Sequence, residues 1–182
     1  CVTFHWIPLY LILLGLTLMR TWVHLPTYDN EESFYLSNVW NFPKSEIAYG
    51  NLGVYYSREG HHGAAVDAWW RGVQLNPEYD VCWYNIAFAF LGHGPQNPHY
   101  FPLFYNSLPQ DLVQTALVKD PTRHHMYVAR YCLQRAIATQ TCHFPTQWQE
   151  QLLKLDQELS CPIGAPVFTA QLVQPLLVPA VT

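Results

Sequence analysis

Two histidine pairs are the residues of this chain whose types and spacing come nearest to chemistry. His61 and His62 lie between Gly60 and Gly63 in the stretch REGHHGA, and a second pair occupies positions 124–125. Imidazole titrates near neutral pH and binds metals, so this pattern suits a reactive loop as well as a tight turn. The chain carries no phosphate-binding glycine loop, no nucleophile elbow, no H-E-x-x-H helix and no coherent acid–base pair. We therefore predict a turn, a protein that is not an enzyme, and neither a metal site nor a cofactor.

The cysteines show no spacing that binds a metal or a haem. None of the five forms the C-x-x-C pair found in zinc sites, thioredoxin-type sites and c-type haem attachment. They are Cys1, Cys82, Cys132, Cys142 and Cys161. We predict free thiols in the core, while a disulfide from Cys142 to either Cys132 or Cys161 stays open.

The composition indicates a surface that is largely covered. Of 182 residues, 50% are hydrophobic and 12% are charged, against about 25% charged in a typical soluble domain. Exposed apolar surface usually marks contacts, so we expect membrane or partner proteins to cover much of this chain. The net charge of −4 and the lack of a Lys/Arg cluster exclude nucleic acid as a partner, because phosphates require a basic footprint.

An uncharged stretch, WIPLYLILLGLTLM, occupies 6–19. A membrane-spanning helix needs about 20 apolar residues, so the stretch is near the minimum for spanning. Aromatic rings favour the membrane interface, and a long basic side chain can reach it. We predict one transmembrane helix at 1–25 and a single-pass membrane protein, with a buried core helix as the alternative. The residues predicted for the membrane interface are Trp6, Tyr10, Arg20 and Trp22.

Polar residues at the ends of this stretch leave two alternatives open. His5 and His24 flank the stretch and could ligate a pigment or haem, although interfacial polarity explains them more simply. Cys1 is the first residue of the sequence, and both lipid attachment to it and processing of a longer product stay open. The side of the membrane that holds the rest of the chain is also open.

A pattern of large and small residues repeats with a period of 34. Large residues recur at helical spacing on one face, and the small Gly53 is replaced 34 residues later by the small Ala87. The first set is Tyr49, Leu52, Gly53 and Tyr56, and the second is Trp83, Ile86, Ala87 and Phe90. Between them, Ala65, Ala68, Trp69 and Gly72 mark a second apolar helix that ends at Pro77. Pro43 precedes Pro77 by one period, so we read the short helix before Pro43 as half of an earlier unit.

This pattern resembles the tetratricopeptide family, whose repeats are 34-residue helical hairpins. The resemblance is strongest over 46–94 and extends to 29–45. It implies an α-solenoid with a concave groove lined by the first helix of each hairpin. The implied groove residues are Gly50, Asn51, Val54, Arg58, Tyr84, Asn85, Phe88 and Leu91. Asn51 and Asn85 match the asparagine that bonds a bound peptide's main chain, and Arg58 alone remains of the basic carboxylate clamp, so an apolar segment is the expected ligand. The alternative is that these residues only pack between hairpins.

Beyond Gly94 the repeat pattern weakens. We predict a proline-rich aromatic insertion at 95–109, the second helix of the second repeat at 111–121, and a divergent capping hairpin at 122–160. The remaining segment, 161–182, contains four prolines and no charge, which predicts an extended apolar arm. The expected fold is therefore all-α: a transmembrane helix, a tetratricopeptide-type solenoid over 26–160, and this arm.

A second resemblance covers 6–94. An apolar helix ending in RTW, a short capped helix, Pro43 and then NLGVYYSREG resemble the carboxy-terminal part of transmembrane O-mannosyltransferase-like proteins. In that family, which uses lipid-linked sugars, the last membrane helix leads directly into tetratricopeptide repeats. The family's acidic catalytic loop and its other membrane helices have no counterpart in this sequence, so its activity is not implied.

Together these features predict a non-catalytic, membrane-anchored scaffold that acts by protein–protein interaction. We expect an accessory subunit of a larger membrane complex, with a respiratory or photosynthetic complex as a candidate. The expected partners are the other subunits and the lipid bilayer. Two alternatives stay open: an assembly factor that binds its clients transiently, and the C-terminal part of a multispanning glycosyltransferase.

Overall fold

The computed structural model describes residues 6–25, 30–92, 102–114, 120–139 and 143–160. All regular secondary structure of these residues is helical, so the predicted all-α class is confirmed. The α-helices are α1 (Ile7–His24), α2 (Glu31–Asn41), α3 (Glu46–Arg58), α4 (His62–Leu75), α5 (Asp80–Gly92), α6 (Pro102–Tyr105), α7 (Gln110–Gln114), α8 (His124–Ala138) and α9 (Pro145–Ser160). The predicted arm at 161–182 lies outside the described residues.

The apolar part of helix α1 is shorter than a transmembrane helix requires. It has 18 residues, and Arg20 interrupts its apolar sequence directly after Met19. The uninterrupted part, from Ile7 to Met19, is about 20 Å long at about 1.5 Å per residue, against a hydrocarbon core of about 30 Å. Among the described residues, no helix combines the length and the apolarity needed to cross a bilayer. The predictions of a transmembrane helix at 1–25 and of a single-pass membrane localisation are therefore wrong.

The residues predicted for the membrane interface are exposed side chains on α1 or next to it. They are Trp6, Tyr10, Arg20 and Trp22. His24 is the last residue of α1, and His5 lies outside the described residues, so the pigment or haem contact considered for this pair stays open.

Helices α2 and α3 begin at side-chain caps. The Asn30 side chain accepts a hydrogen bond from the backbone N–H of Ser33 at 2.7 Å. Ser45 caps α3 in the same way through the N–H of Ala48, at 3.3 Å. Such caps satisfy N–H groups that have no partner within the helix.

Helices α3 and α4 form a tight hairpin around one close contact. The connecting turn contains Gly60 at a φ of +81°, a backbone conformation that glycine adopts without strain. Within the hairpin, the Trp69 indole lies against Gly53, where an added Cβ would be 2.3 Å from Nε1. The same Nε1–H donates a hydrogen bond to the Gly50 carbonyl at 3.1 Å. Gly53 therefore lets α3 and α4 approach each other closely.

The next helix, α5, is the centre of the core. It packs against α4 and, more extensively, against α8. Gly72 of α4 allows this approach, because a Cβ there would be 2.8 Å from the Cys82 sulfur. Most of α5 is buried, from Asp80 through Ala87 and again at Ala89 and Phe90.

The partner of α5 differs from the one expected. The sequence predicts the second helix of the second repeat at 111–121. The described residues there form the short helix α7, and 115–119 lie outside the described part. Instead, α8 contacts α5 through a buried face. That face contains Ala129, Leu133 and Ala136, which are fully or almost fully buried. The physical reason is complementarity: α8 offers small residues on both sides of a large one, as α4 does.

Part of the aromatic insertion belongs to the core. Phe104 of α6 is fully buried, and its ring centroid lies 5.4 Å from that of Trp70 and 5.6 Å from that of Phe90. Tyr105 and Leu108 are also buried. These side chains stabilise the junction of α4 and α5, so this portion of the insertion is not a free contact loop.

Helix α9 packs on α8 and is hydrogen-bonded to the turn that precedes α8. Arg123 pairs with Asp120 at 2.6 Å and donates from Nη1 to the Glu158 carbonyl at 3.2 Å. Desolvation by burial would raise the pKa of Asp120, but hydrogen bonds from Thr122 and Arg123 and the Arg123 charge outweigh it and lower the pKa. The carboxylate is therefore ionised over the neutral range and holds the end of α9 in place.

Candidate interaction surface

The groove residues predicted on α3 remain partly accessible. Asn51 and Val54 are half-buried, and Val54 packs against the core. Arg58 is exposed and forms an ion pair with Glu31 of α2. Its guanidinium also lies over the ring of Tyr55, 5.7 Å from the centroid. The basic group expected to bind a ligand is therefore engaged by the chain's own side chains.

The groove residues predicted on α5 are mostly covered. Tyr84 and Asn85 are only 3% and 7% exposed. The Tyr84 ring stacks on Trp148 of α9, with centroids 4.8 Å apart and planes 14° from parallel. Burial raises the pKa of Tyr84 above its ordinary value. Phe88 and Leu91 are half-buried, so α5 lines no open groove on the Tyr84 side.

Buried donors in this region that have no partner within the described part of the chain include the side-chain nitrogens of Asn85 and Trp148. A buried donor without a partner costs about 1–3 kcal/mol. The Asn85 amide matches the asparagine that bonds a peptide main chain in the family resembled, but it is buried, which leaves no open path for a ligand.

The histidines that opened the sequence question lie at helix starts. His61 is exposed directly before α4, with its ring 6.4 Å from that of Tyr56, and His62 is the first residue of α4. His124 begins α8. In the described ranges, no three His, Cys, Asp or Glu side chains come together as a metal site.

Buried cysteine thiols offer no nucleophile. Cys82 and Cys132 are free and buried, which confirms the prediction for these two residues; the other three lie outside the described residues. Burial raises the pKa of both thiols far above the ordinary range. A thiol that stays protonated is unreactive, so both are packing groups.

A buried carboxylate that the sequence did not single out ties two distant segments together. Asp80, fully buried at the start of α5, accepts hydrogen bonds from the backbone N–H of Val81 at 2.9 Å and of His143 at 2.7 Å. The Nδ1 of His143 is 2.9 Å from both carboxylate oxygens. Because the carboxylate bonds the segment that leads into α9, its role is structural.

The outer face of α2 is the most exposed aromatic surface of the hairpin region. We define it as Leu36 and Trp40, which are one helical turn apart on α2, together with the C-cap residue Phe42. These side chains are 44%, 86% and 62% exposed, whereas Tyr35 of the same helix contacts Tyr55 of α3, with ring centroids 5.4 Å apart. Large exposed apolar groups mark contact sites.

The 34-residue period shows that this face is unusual. Trp40 plus one period is Gln74, an exposed polar residue at the same position of α4. An indole therefore stands where the next unit has an amide. Comparison of Trp40 with Gln74 one period later is the sequence signal that identifies this residue.

No family model, curated protein or solved structure matches this chain.

Proposed function

We propose that this protein is a non-catalytic scaffold of the tetratricopeptide type that binds a partner protein through the outer face of α2. The observation that carries the proposal is Trp40, an indole that is 86% exposed on α2, whereas the tryptophans of α4, α5 and α9 are buried or pack against the core. An exposed indole leaves a large apolar surface in contact with water. Trp is also enriched among the interface residues that contribute most of the binding energy.

Spacing in the second helices supports the repeat type. Ala129, Leu133 and Ala136 of α8 have the same separations of four and three residues as Ala65, Trp69 and Gly72 of α4. All six residues are buried. Small residues on both sides of a large one let two helices approach closely while the large side chain fills the gap. On this alignment α5 and α8 form the second hairpin, separated by an insertion.

The spacing of α9 extends the same register. Trp148 and Leu155 are seven residues apart, as are Trp83 and Phe90 of α5, and all four are buried. We infer that α9 is the first helix of a third unit. Each hairpin of such an array leaves an apolar face that its neighbour covers, which explains why α9 covers Tyr84.

The chemistry of the α2 outer face favours an apolar partner segment. Its three members carry no charge, and at the N-terminal end of α2 Glu31 pairs with Arg58. A basic footprint for phosphates is missing from the sequence. A helix or strand that presents aliphatic side chains to the Trp40 indole is the expected ligand.

Quantitative affinity purification tests this proposal. The tagged full chain and its Trp40→Ala variant are isolated from native cells, and co-purifying proteins are then measured by mass spectrometry and reconstituted from purified components. Loss of a central interface tryptophan costs about 2 kcal/mol or more, which is a roughly 30-fold loss of affinity. The matched control is Gln74→Ala, which should leave partner binding unchanged.

Equal binding by the wild-type chain and by Trp40→Ala would refute the α2 surface. Stoichiometry separates the two forms of the proposal: a permanent subunit co-purifies in equal amounts, whereas an assembly factor co-purifies in substoichiometric amounts. If no partner is reconstituted from purified components, the scaffold function itself fails.

A further inference from the structure

Helix α1 presents a large apolar surface that the described chain does not cover. Its large hydrophobic side chains, together with those of its flanking residues Trp6 and Leu25, are between 42% and 77% exposed. With about 150–250 Å² for an aromatic side chain and about 60–120 Å² for an aliphatic one, the exposed apolar area is on the order of 1,000 Å². The largest apolar patch on a typical monomer is roughly 300–600 Å². This helix therefore requires a cover outside the described chain.

The apolar residues of α1 occupy one continuous arc. At about 100° per residue, every residue on an arc of roughly 220° is apolar. These residues are Ile7, Pro8, Leu9, Leu11, Ile12, Leu14, Gly15, Leu16, Leu18, Met19, Trp22 and Val23. Thr17, Arg20 and Thr21 fall on the remaining side. A two-helix contact buries only a narrow seam, so an arc this wide needs two or more neighbouring helices.

The polar groups of α1 do not oppose such packing. Thr17 donates its hydroxyl to the Leu14 carbonyl at 2.8 Å, and Thr21 donates to the Thr17 carbonyl at 2.9 Å. Neither hydroxyl needs water to be satisfied. Arg20 is the single Lys, Arg, Asp or Glu residue of α1, and it lies outside the apolar arc. A charge at that position can remain in solvent while the arc is covered.

We propose that the α1 helices of three or more copies of this chain pack into a bundle. The exposed area per helix matches the roughly 800 Å² that each partner contributes to a standard interface. The arc carries no polar group that would select a different protein, and copies of one helix are complementary in hydrophobicity and length. An open space around Gly15, where an added Cβ would contact nothing within 4 Å, permits close approach of a neighbour.

Analytical ultracentrifugation of the full chain in buffer without detergent tests the bundle. The expected species has at least three times the monomer mass of 21.1 kDa. Replacing two residues of the arc, Leu11→Glu with Met19→Glu, should yield monomer and raise the dissociation concentration at least 100-fold. Glutamate has a helix propensity close to that of leucine and methionine, so circular dichroism should show unchanged helix content.

The matched control is Thr17→Glu, on the polar side of α1, which should leave the assembly intact. A monodisperse wild-type monomer would overturn the proposal. An assembly that survives the double substitution, or that Thr17→Glu disrupts equally, would also overturn it, as would polydisperse aggregation of all three proteins. These outcomes are independent of partner binding by the α2 outer face, which the Trp40→Ala variant measures separately.

Discussion

Replacing Gly53 by alanine should destabilise the protein, although alanine is the better helix former. Helix propensity alone favours alanine by about 1 kcal/mol in a helix interior. However, the new Cβ would lie 2.3–2.7 Å from three atoms of the Trp69 indole. Trp69 is buried and its Nε1–H bonds the Gly50 carbonyl at 3.1 Å. The indole cannot move away without losing that bond.

The expected magnitude follows from these opposing effects. Overpacking a core costs about 1–3 kcal/mol, and a lost buried hydrogen bond costs about 1–3 kcal/mol. After subtraction of the propensity gain, the net loss in the free energy of unfolding is about 1–5 kcal/mol. For a central value of about 3 kcal/mol, the Tm of a chain of this size falls by roughly 6–12 °C.

Urea unfolding followed by circular dichroism and tryptophan fluorescence measures the change. The matched control is Gly92→Ala, whose Cβ would meet the Phe88 ring at an ordinary 3.8 Å, and it should change stability by less than about 1 kcal/mol. In a Trp69→Leu background the penalty at Gly53 should shrink, because contacting residues are coupled. A neutral or stabilising Gly53→Ala would refute the close-contact account of the hairpin.

Three further substitutions test other contacts. Because the pKa of Asp120 is lowered, its contribution to stability is complete above about pH 4 and is lost as the pH falls through the folded value. Asp120→Asn should therefore cost about 1–3 kcal/mol at pH 7 and flatten the acid limb of the curve of urea-unfolding free energy against pH. Trp148→Ala removes the side chain stacked on Tyr84 and should cost about 3–5 kcal/mol in urea unfolding; a loss below about 1 kcal/mol would contradict the docking of α9. Gly60→Ala places a Cβ at positive φ and should lower the unfolding free energy by about 1–2 kcal/mol, whereas an unchanged Tm would refute the left-handed turn.

The first full hairpin could be predicted from the sequence because its contacts are local. Gly53 and Trp69 are 16 residues apart, and the small residue Gly53 recurs 34 residues later as Ala87. A periodic pattern of this kind specifies both the helical face and the position of close approach. The turn at Gly60 follows from the same pattern, since glycine is the residue that adopts its backbone conformation.

The partner of α5 could not be predicted in this way. Ala116 and Pro121 are spaced in the sequence in a way similar to Gly72 and Pro77. This similarity predicts that the second helix of the repeat lies at 111–121. The spacing of Ala129 and its neighbours in α8 is as good, but it comes about 30 residues later than the period requires. Counting along a sequence does not reveal which of two similar segments packs better, whereas the burial of Phe104 and of α8 does.

The candidate surface was harder to predict because exposure depends on distant residues. The repeat register places Tyr84 on a groove face, yet Trp148 covers it from 64 positions further along the chain. Conversely, Trp40 is exposed because α2 meets α3 through Tyr35 and not through its indole. The transmembrane prediction for α1 was wrong because it depended on the number of apolar residues. Arg20 limits the length of the segment that is continuously apolar.

Site-specific photo-crosslinking tests the central claim most directly. A benzophenone side chain is placed on the α2 outer face by Trp40→benzoylphenylalanine, and at the matched position of α4 by Gln74→benzoylphenylalanine, in the full chain in native cells. Partner binding through α2 predicts one discrete heteromeric crosslink from position 40 and none from position 74. Equal crosslinking from both positions, or products made only of this chain, would contradict it.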